Sequence, residues 1–379
     1  MAIWDAIVIG AGGVGSAAAM HLAKSGARVL GIDQYQPAHD RGSSHGQTRI
    51  IRQAYFEHPS YVPLLRRAYE LWDELEQNSN RKLFHRTGLV ELGPIDGVVI
   101  PGVLRSAKTY SLPIETLLPA EVTERWPGIR GNHDWQAVIE KNAGFLKVEE
   151  CVQTHLDLAR QFGCKLMHNC KVHQWKAGPR GVKVVTDQGS EQAAHLLVAG
   201  GPWSQTLVPA LSGKLRVLRK HLYWFEPERS GFEETDGFPC FFHETSNGFF
   251  YGFPSLNGSG VKVARHSGGQ PIEQPDNDAA ADDFDDTDMQ DQQLVSDYVR
   301  EYLPGLGNRL LKRAKCYYTS TPDEHFVIDH LPDQSNVTIV AGLSGHGFKF
   351  TSVLGEIASQ LAQGTKSTLD IGPFGIARF

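Results

Sequence analysis

Glycines 10, 12 and 15 stand in the spacing GxGxxG, between an apolar run at residues 6–9 and an alanine-rich stretch ending near Ser25 and Gly26. Read as strand, turn and helix, this order gives each glycine a task. Gly10 allows the tight turn, Gly12 lets a pyrophosphate approach the backbone, and Gly15 lets helix and strand pack closely, with the helix N-terminus facing the phosphate. A second apolar run, ARVLGI at 27–32, ends at Asp33, whose carboxylate is placed to accept a ribose hydroxyl. Together these features predict dinucleotide binding without separating FAD from NAD. The segment RGSSHGQTRIIRQAY then sets His45, Arg49 and Arg52 in a glycine-interrupted loop soon after the second strand, where a loop would lie over the cofactor. Arginines there could hold a phosphate or a substrate carboxylate by paired hydrogen bonds, or simply face solvent. Near the other end, Lys349 sits between Phe348 and Phe350, a setting in which a snorkelling surface lysine is the commoner case. Cys316 sits beside two tyrosines in KCYYTSTPDEHFVIDH, a neighbourhood read as polar and turn-rich. An isolated cysteine is ordinarily a small buried hydrophobe.

The elements that must position these groups can be read more coarsely. A chain of 379 residues with 41% hydrophobic content predicts two domains sharing a cleft. A net charge of −6 with scattered Lys and Arg offers no basic stripe, so a nucleic-acid partner is not expected. Five cysteines at irregular spacing with no CxxC indicate neither a zinc site nor a disulfide framework, and suit a reducing compartment. The apolar N-terminal run has Asp5 in place of a basic flank and is broken by glycines, so it reads as neither signal peptide nor membrane span. A cytoplasmic location is expected.

Two more strand-to-glycine junctions occur, at 195–201 (HLLVAGG) and at 337–350 (VTIVAGLSGHGFKF). They predict one nucleotide domain assembled from separated segments. Residues 216–265 alternate as strands, RVLRKHLYWFE, GFFYGFP and GVKVARH, and predict a second domain. Ser60 is read as the cap of a helix with Pro63 in its first turn, and 149–162 as an amphipathic helix stopped by Gly163. The acidic run DNDAAADDFDDTDMQD at 276–291 reads as a solvated loop, with no EF-hand spacing and no metal expected.

In order along nearly the whole chain, VIGAGGVG, GSSHGQTRIIRQAY, FYGFPS, VKVARH, KCYYTSTPDEHFVID, GLSGHGFKF and the terminal PFGIARF resemble one family. It is that of the FAD-dependent monomeric sarcosine oxidases and the closely similar N-methyltryptophan oxidases. The resemblance implies FAD, bound covalently by a thioether from Cys316 to a methyl carbon on the flavin's benzenoid ring. The implied cofactor site draws on Gly10, Gly12, Gly13, Gly15, Asp33, Ser43, Ser44, His45, Thr48, Arg49, Val172, Gly200, Gly345, Gly347 and Lys349. His45 and Arg49 match positions against the flavin, where positive charge would favour the anionic reduced ring. Arg52 and Lys349 match the pair that grips the substrate carboxylate, and Tyr251, His266 and Tyr318 match residues around the substrate amine. Lys262 matches the lysine associated with oxygen activation, since a fixed ammonium in a dry site stabilises the anion made from dioxygen.

The implied reaction is oxidation of a secondary N-methyl amino acid by a monomeric enzyme, giving the primary amino acid, formaldehyde and, from O2, hydrogen peroxide. None of these residues separates the two substrates. Phe242 falls near the pocket, where its ring would shrink the space or stack on an indole, and Pro322 stands as in the N-methyltryptophan oxidases. Small, sarcosine-type substrates are the expectation, with N-methyl-L-tryptophan the alternative. Ser44 and Gln47 depart from the histidine and aspartate common in relatives, which bears on the flavin contacts. The expected architecture is mixed α/β. A Rossmann-like FAD-binding domain takes 1–85, 145–215 and 325–379, and an antiparallel-sheet substrate domain takes 86–144 and 216–324.

Overall fold

Strand Trp4–Ile9 is apolar on both faces from Ala6 onward, and a strand of that kind must be covered on both sides. In the computed structural model, which describes residues 4–273, 275–280 and 284–379, it lies inside an eight-stranded sheet. Strands Val29–Ile32 and Gly189–Val198 run parallel on either side of it, with Ile9 level with Ile32 and with Val198. Lys165–Met167 extends one edge, and Gln334–Ala341 adds in parallel beside Gly189–Val198. Three strands therefore end at one level, where Gly10, Asp33 and Ala199 come next in the chain. Helices Gly13–Lys24, Val148–Gln161 and Thr351–Ala362 pack together near this sheet. The first and last of these come so close that a Cβ on Gly355 would lie 2.5 Å from Ala17 Cβ. Likewise a Cβ on Gly15 would stand 1.7 Å from the Gly10 carbonyl oxygen, so only glycine permits this helix–strand approach.

The second sheet has nine strands and is antiparallel except where Cys240–Thr245 runs parallel to Leu89–Pro94. Its longest members, Arg216–Pro227 and Leu306–Ser320, pair along most of their length. A small third sheet joins Thr48–Ile51, Gly144–Lys147 and Phe84–His85. The mixed α/β fold with one mostly parallel and one antiparallel sheet is the expected one. Among the described residues, no helix is long and apolar enough to cross a membrane.

Three local expectations need correction. Ser60 caps nothing: the turn Pro59–Tyr61 is capped by the His58 side chain, and helix Val62–Ser79 begins directly after it. Cys316 lies within a continuous strand, because the partner strand Arg216–Pro227 supplies ladder bonds that override the polar local sequence. The acidic run is structured on both sides of residues 281–283, which lie outside the described residues. Helices Pro275–Ala280 and Asp286–Tyr302 take most of it. Asp278 and Asp288 face inward because buried cations wait there, whereas Asp276 and Asp286 stay nearer solvent. Arg219, 7% exposed, pairs with Asp278 at 2.7 Å, with Asp288 at 2.8 Å and with Asp285, while His221 stands 3.1 Å from Asp288.

Asp288 is buried, so removing its guanidinium partner leaves the carboxylate with only the Asp285 amide and His221 beside it. Arg219→Met is expected to lower stability by about 3 kcal/mol in urea unfolding.

Candidate active site

The level strand ends open onto a cavity of about 620 Å³ that runs from the first glycine turn to the antiparallel sheet. At the near end Gly10 has φ +90°, and a Cβ there would lie 2.4 Å from the Ala199 carbonyl oxygen. Helix Gly13–Lys24 begins after Gly12, which has no side chain to close the helix end, so the backbone itself faces the space. Gly13 N donates to Ser44 Oγ at 3.1 Å. Asp33 accepts from Ala11 N at 2.7 Å and Tyr35 N at 2.9 Å, which leaves lone pairs on both oxygens for a hydroxyl. Ser43, Val172 and Gly200 also border this end. An open helix N-terminus, a strand-end acid and a long cavity fit a dinucleotide.

The middle of the site is held by loop 43–52. Arg49 donates to Ser43 O and Thr48 O, both at 2.9 Å. Burial opposes its charge, but nearby Cys316, Tyr251 and Tyr318 outweigh that and raise its pKa. His45 is 3% exposed and its Nε2 has no partner. Burial, then the charge of Arg49, hold it down at about 4. Of the two residues expected to supply positive charge to a flavin, only Arg49 carries it at neutral pH. Ser44 binds the first glycine turn and Gln47 accepts from Trp224 Nε1 at 2.8 Å, so both residues anchor this loop.

Lys262 Nζ donates to Gly46 O at 2.8 Å, Thr48 O at 2.7 Å and Thr48 Oγ1 at 2.9 Å. Burial, then Arg49, push its pKa well below the usual lysine value, while three accepted protons match the donor set of an ammonium. Cys316, 1% exposed, lies opposite Lys220 across the ladder. Gly15, His45, Thr48, Lys262 and Cys316 are not part of the cavity wall, whereas Tyr317 and Tyr318 are.

At the far end, Arg52 and Lys349 are both buried, and neither is the surface cation that the bland sequence reading allowed. Arg52 donates to Glu57 at 2.7 Å and to Ala54 O at 2.9 Å, with its guanidinium 4.4 Å from the ring centres of Tyr55 and Phe56. Lys349 Nζ donates to His346 O at 2.9 Å. Burial, then Arg52, lower its pKa to about 7. Facing them, His266 Nδ1 lies 3.2 Å from Tyr318 OH. Burial takes His266 down to about 3 and Tyr251 up to about 12, so both are uncharged at neutral pH. Gly345, φ +78°, lies against the Tyr318 ring, where a Cβ would come within 2.3 Å, and Gly347 adjoins it on the wall. Among the described residues, no group of His, Cys, Asp or Glu is arranged to hold a metal ion.

Sequence reasoning missed four acids. Glu149 accepts from Gly46 N at 2.7 Å and Gln47 N at 3.1 Å, and Glu140 accepts from Gln53 N and Ala54 N at 2.8 Å each. Glu57 and Glu91 both face Arg52. For Glu91 and Glu140, an acid inside an apolar run, LVELGP and WQAVIE, was the available signal.

This fold and site define the chain as a member of the FAD dependent oxidoreductase family, whose profile matches residues 5–361. Within that family it groups with two kinds of oxidase. It is 40% identical over 378 residues to the monomeric sarcosine oxidase of Bacillus sp. (strain B-0618), covering 99% of this chain and 96% of the relative. It is 39% identical over 381 residues to the N-methyl-L-tryptophan oxidase of Salmonella dublin, covering 99% of each. Among solved structures, the open form of a point mutant of NikD, an unusual amino acid oxidase, superposes with a TM-score of 0.86 at 23% identity, covering 98% of this chain and 96% of that one. L-proline dehydrogenase from P. horikoshii gives 0.84 at 22%, covering 100% and 98%. These likenesses show the fold.

Burial alone would raise the Glu57 carboxyl, but Arg52 and then His346 and Lys349 hold it at about 2. A depressed pKa contributes stability above the unfolded value near 4.5 that is lost as pH falls through the folded value. Glu57→Gln is expected to cost about 3 kcal/mol at pH 7, with the difference closing as pH falls from about 5 toward 2, in urea unfolding.

Proposed function

We propose that this protein uses dioxygen and water to convert small N-methyl amino acids of the sarcosine type to the primary amino acid, formaldehyde and hydrogen peroxide, with FAD tethered through Cys316. The observation that carries the reading is the pairing of two buried cations, Arg52 and Lys349, in one cavity with an uncharged cluster of Tyr251, Tyr318 and His266. FAD, when bound, supplies the two-electron acceptor and passes those electrons to dioxygen.

The residues do the rest. Gly10, Gly12, Gly13, Gly15 and Asp33 would hold the dinucleotide end, and Arg49 would set its charge beside the ring. Arg52 and Lys349 clamp the substrate carboxylate, which fixes the N-methyl group in position, an effect able to supply several kcal/mol (~7 at the low end of well-oriented cases). Tyr251, Tyr318 and His266 surround the amine. An uncharged lining favours an unprotonated amine, the form with a lone pair to release. Lys262 offers a fixed ammonium to the anion formed from dioxygen. Cys316 and Lys220 face one another on adjacent strands. We read the two sheets as the cores of a cofactor domain, 1–85, 145–215 and 325–379, and a substrate domain, 86–144 and 216–324.

Phe242 supports the small-substrate reading. Its ring lies 5.3 Å from Phe56, 6.0 Å from Phe249 and 5.9 Å from His266, so aromatic carbon occupies space that a bulky side chain would need.

Oxygen uptake with sarcosine, N-methylalanine, N-methyltryptophan and proline tests this directly. Sarcosine is expected to give the highest kcat/KM, and Phe242→Ala to shift the preference toward the larger substrates by about tenfold. Preference for N-methyltryptophan in the parent protein would overturn the substrate assignment, and no uptake with any N-methyl amino acid would overturn the reaction. For the tether, the acid-denatured protein should keep its yellow colour with the precipitate, and Cys316→Ser should release it to the supernatant. An intact mass equal to the bare chain after supply of FAD rules the tether out.

A further inference from the structure

Glu91 sits in the middle of strand Leu89–Pro94, level with Val138 on one neighbouring strand and with Phe242 on the other. Its exposure is 0%, and neither carboxyl oxygen has a hydrogen-bond partner. The contact it does make is with Arg52, whose Nε is 3.6 Å from Glu91 Oε1, too far for a hydrogen bond. Arg52 has spent its other nitrogens on Glu57 and Ala54 O. The remaining charged groups around Glu91 are Glu57 from the same loop, Glu140 from strand Trp135–Glu140 and Lys349 from turn Phe348–Phe350.

The three acids near Arg52 are thus treated differently. Glu140 is satisfied by the Gln53 and Ala54 amides, and Glu57 by the guanidinium itself. Glu91 receives no donor, and an ionised carboxylate without donors in a dry interior is strongly disfavoured against the neutral acid. Burial accordingly pushes it up to about 8. The protonation of Glu91 therefore shifts the charge of the subsite by one unit. Glu57 and Glu140 already stand among the cations Arg52 and Lys349, and an ionised Glu91 would add a third acid opposing a carboxylate ligand. With Glu91 neutral, that added repulsion is absent.

We infer that Glu91 is the charge-setting residue of the carboxylate subsite, standing behind Arg52 as an uncharged acid so that the cation pair keeps its pull on the substrate carboxylate. It is a positioning residue, because it acts through Arg52 and does not border the cavity. The inference rests on the proposed role of Arg52 as a carboxylate anchor. Above its pKa Glu91 becomes an anion beside Arg52 and weakens that anchor. Lys349 loses its proton over the same alkaline range and weakens it further.

The test uses the flavin-loaded protein and Glu91→Gln, whose side chain never ionises, with Glu91→Leu as a second variant should a buried amide disturb packing. Acetate, a carboxylate with no amine to oxidise, is the probe, and its binding is tracked by the change in flavin absorbance. Between pH 7 and 9.5 acetate affinity in the parent should fall about tenfold, and in either variant about threefold, the part left to Lys349. The KM for sarcosine should trace the same two profiles. At pH 7 neither variant should bind acetate more weakly than the parent. Superimposable profiles for parent and variants, or a tenfold loss of acetate affinity at pH 7 in both variants, would overturn the inference. If no N-methyl amino acid is consumed but acetate binding still shows the Glu91-dependent fall, the proposed reaction fails and the assignment of Glu91 stands.

A readout on the folded state is independent of any ligand. An acid whose folded pKa lies above its unfolded value gives stability that is full below the unfolded value and lost as pH rises through the folded one. The melting temperature of Glu91→Leu relative to the parent should therefore rise between pH 5 and pH 8. A constant difference would show that Glu91 is already ionised in the fold and would sink the proposal.

Discussion

Irregular backbone buried between two sheets has to find partners for its peptide groups, and the whole site hangs on how loop 43–57 does so. Only Thr48–Ile51 within it belongs to a strand. Elsewhere the partners are charged side chains from other elements: Glu149 from the first turn of helix Val148–Gln161 holds the amides of Gly46 and Gln47. Lys262 holds the carbonyls of Gly46 and Thr48, and Glu140 holds the amides of Gln53 and Ala54. The positive φ values of Gly46 and Gln47, +86° and +69°, fall where Glu149 and Trp224 grip the chain, so the strained turn is over-determined. Arg49 and Arg52 inherit their placement from these contacts. A cation from the antiparallel sheet and acids from separate chain segments together hold the backbone that carries both arginines.

That dependence explains what could be read from the sequence. The glycine turn, Asp33 and the strand-to-glycine junctions at 199–201 and 341–347 are legible because each is local, and a few adjacent residues state the turn, the close approach and the strand before it. Strand Leu306–Ser320 is not. Its sequence LGNRLLKRAKCYYTS carries charges where a strand pattern should alternate, and only the pairing with Arg216–Pro227, some ninety positions earlier, makes it extended. The acidic run misleads for a related reason. Clustered acids read as solvated unless the buried Arg219 and His221 that face them are known, and no spacing rule connects the two stretches. Arg52 and Lys349 were recognised through family resemblance, while their burial and their partners Glu57 and Glu91 were visible only once the chain was folded.

Folding these segments together produces a cavity that is electrically uneven along its length. One end has an open helix N-terminus, the other gathers Arg52 and Lys349 with the acids Glu57, Glu91 and Glu140, and the space beside Tyr318 and His266 is neutral. On the proposed reading, an amino acid held with its amine unprotonated has a single negative charge, and Arg52 and Lys349 are where that charge would go. Charge would then set orientation before Phe242 selects on shape.

The same unevenness suggests how the proton balance of binding is met. In solution the secondary amine of an amino acid carries a proton, and the neutral lining around Tyr251, Tyr318 and His266 favours its loss. Lys349, lowered to about 7 by burial and by Arg52, is only partly charged before a ligand arrives. An incoming carboxylate beside it stabilises the ammonium and raises that pKa, since an opposite charge within a few ångströms favours the charged form. On the proposed reading, substrate binding would release a proton from the amine and take one up at Lys349, so the clamp would reach full charge only with the carboxylate present. Burying a lysine with so little hydrogen bonding looks wasteful if its task is constant attraction, and it makes sense if its charge is meant to track the ligand.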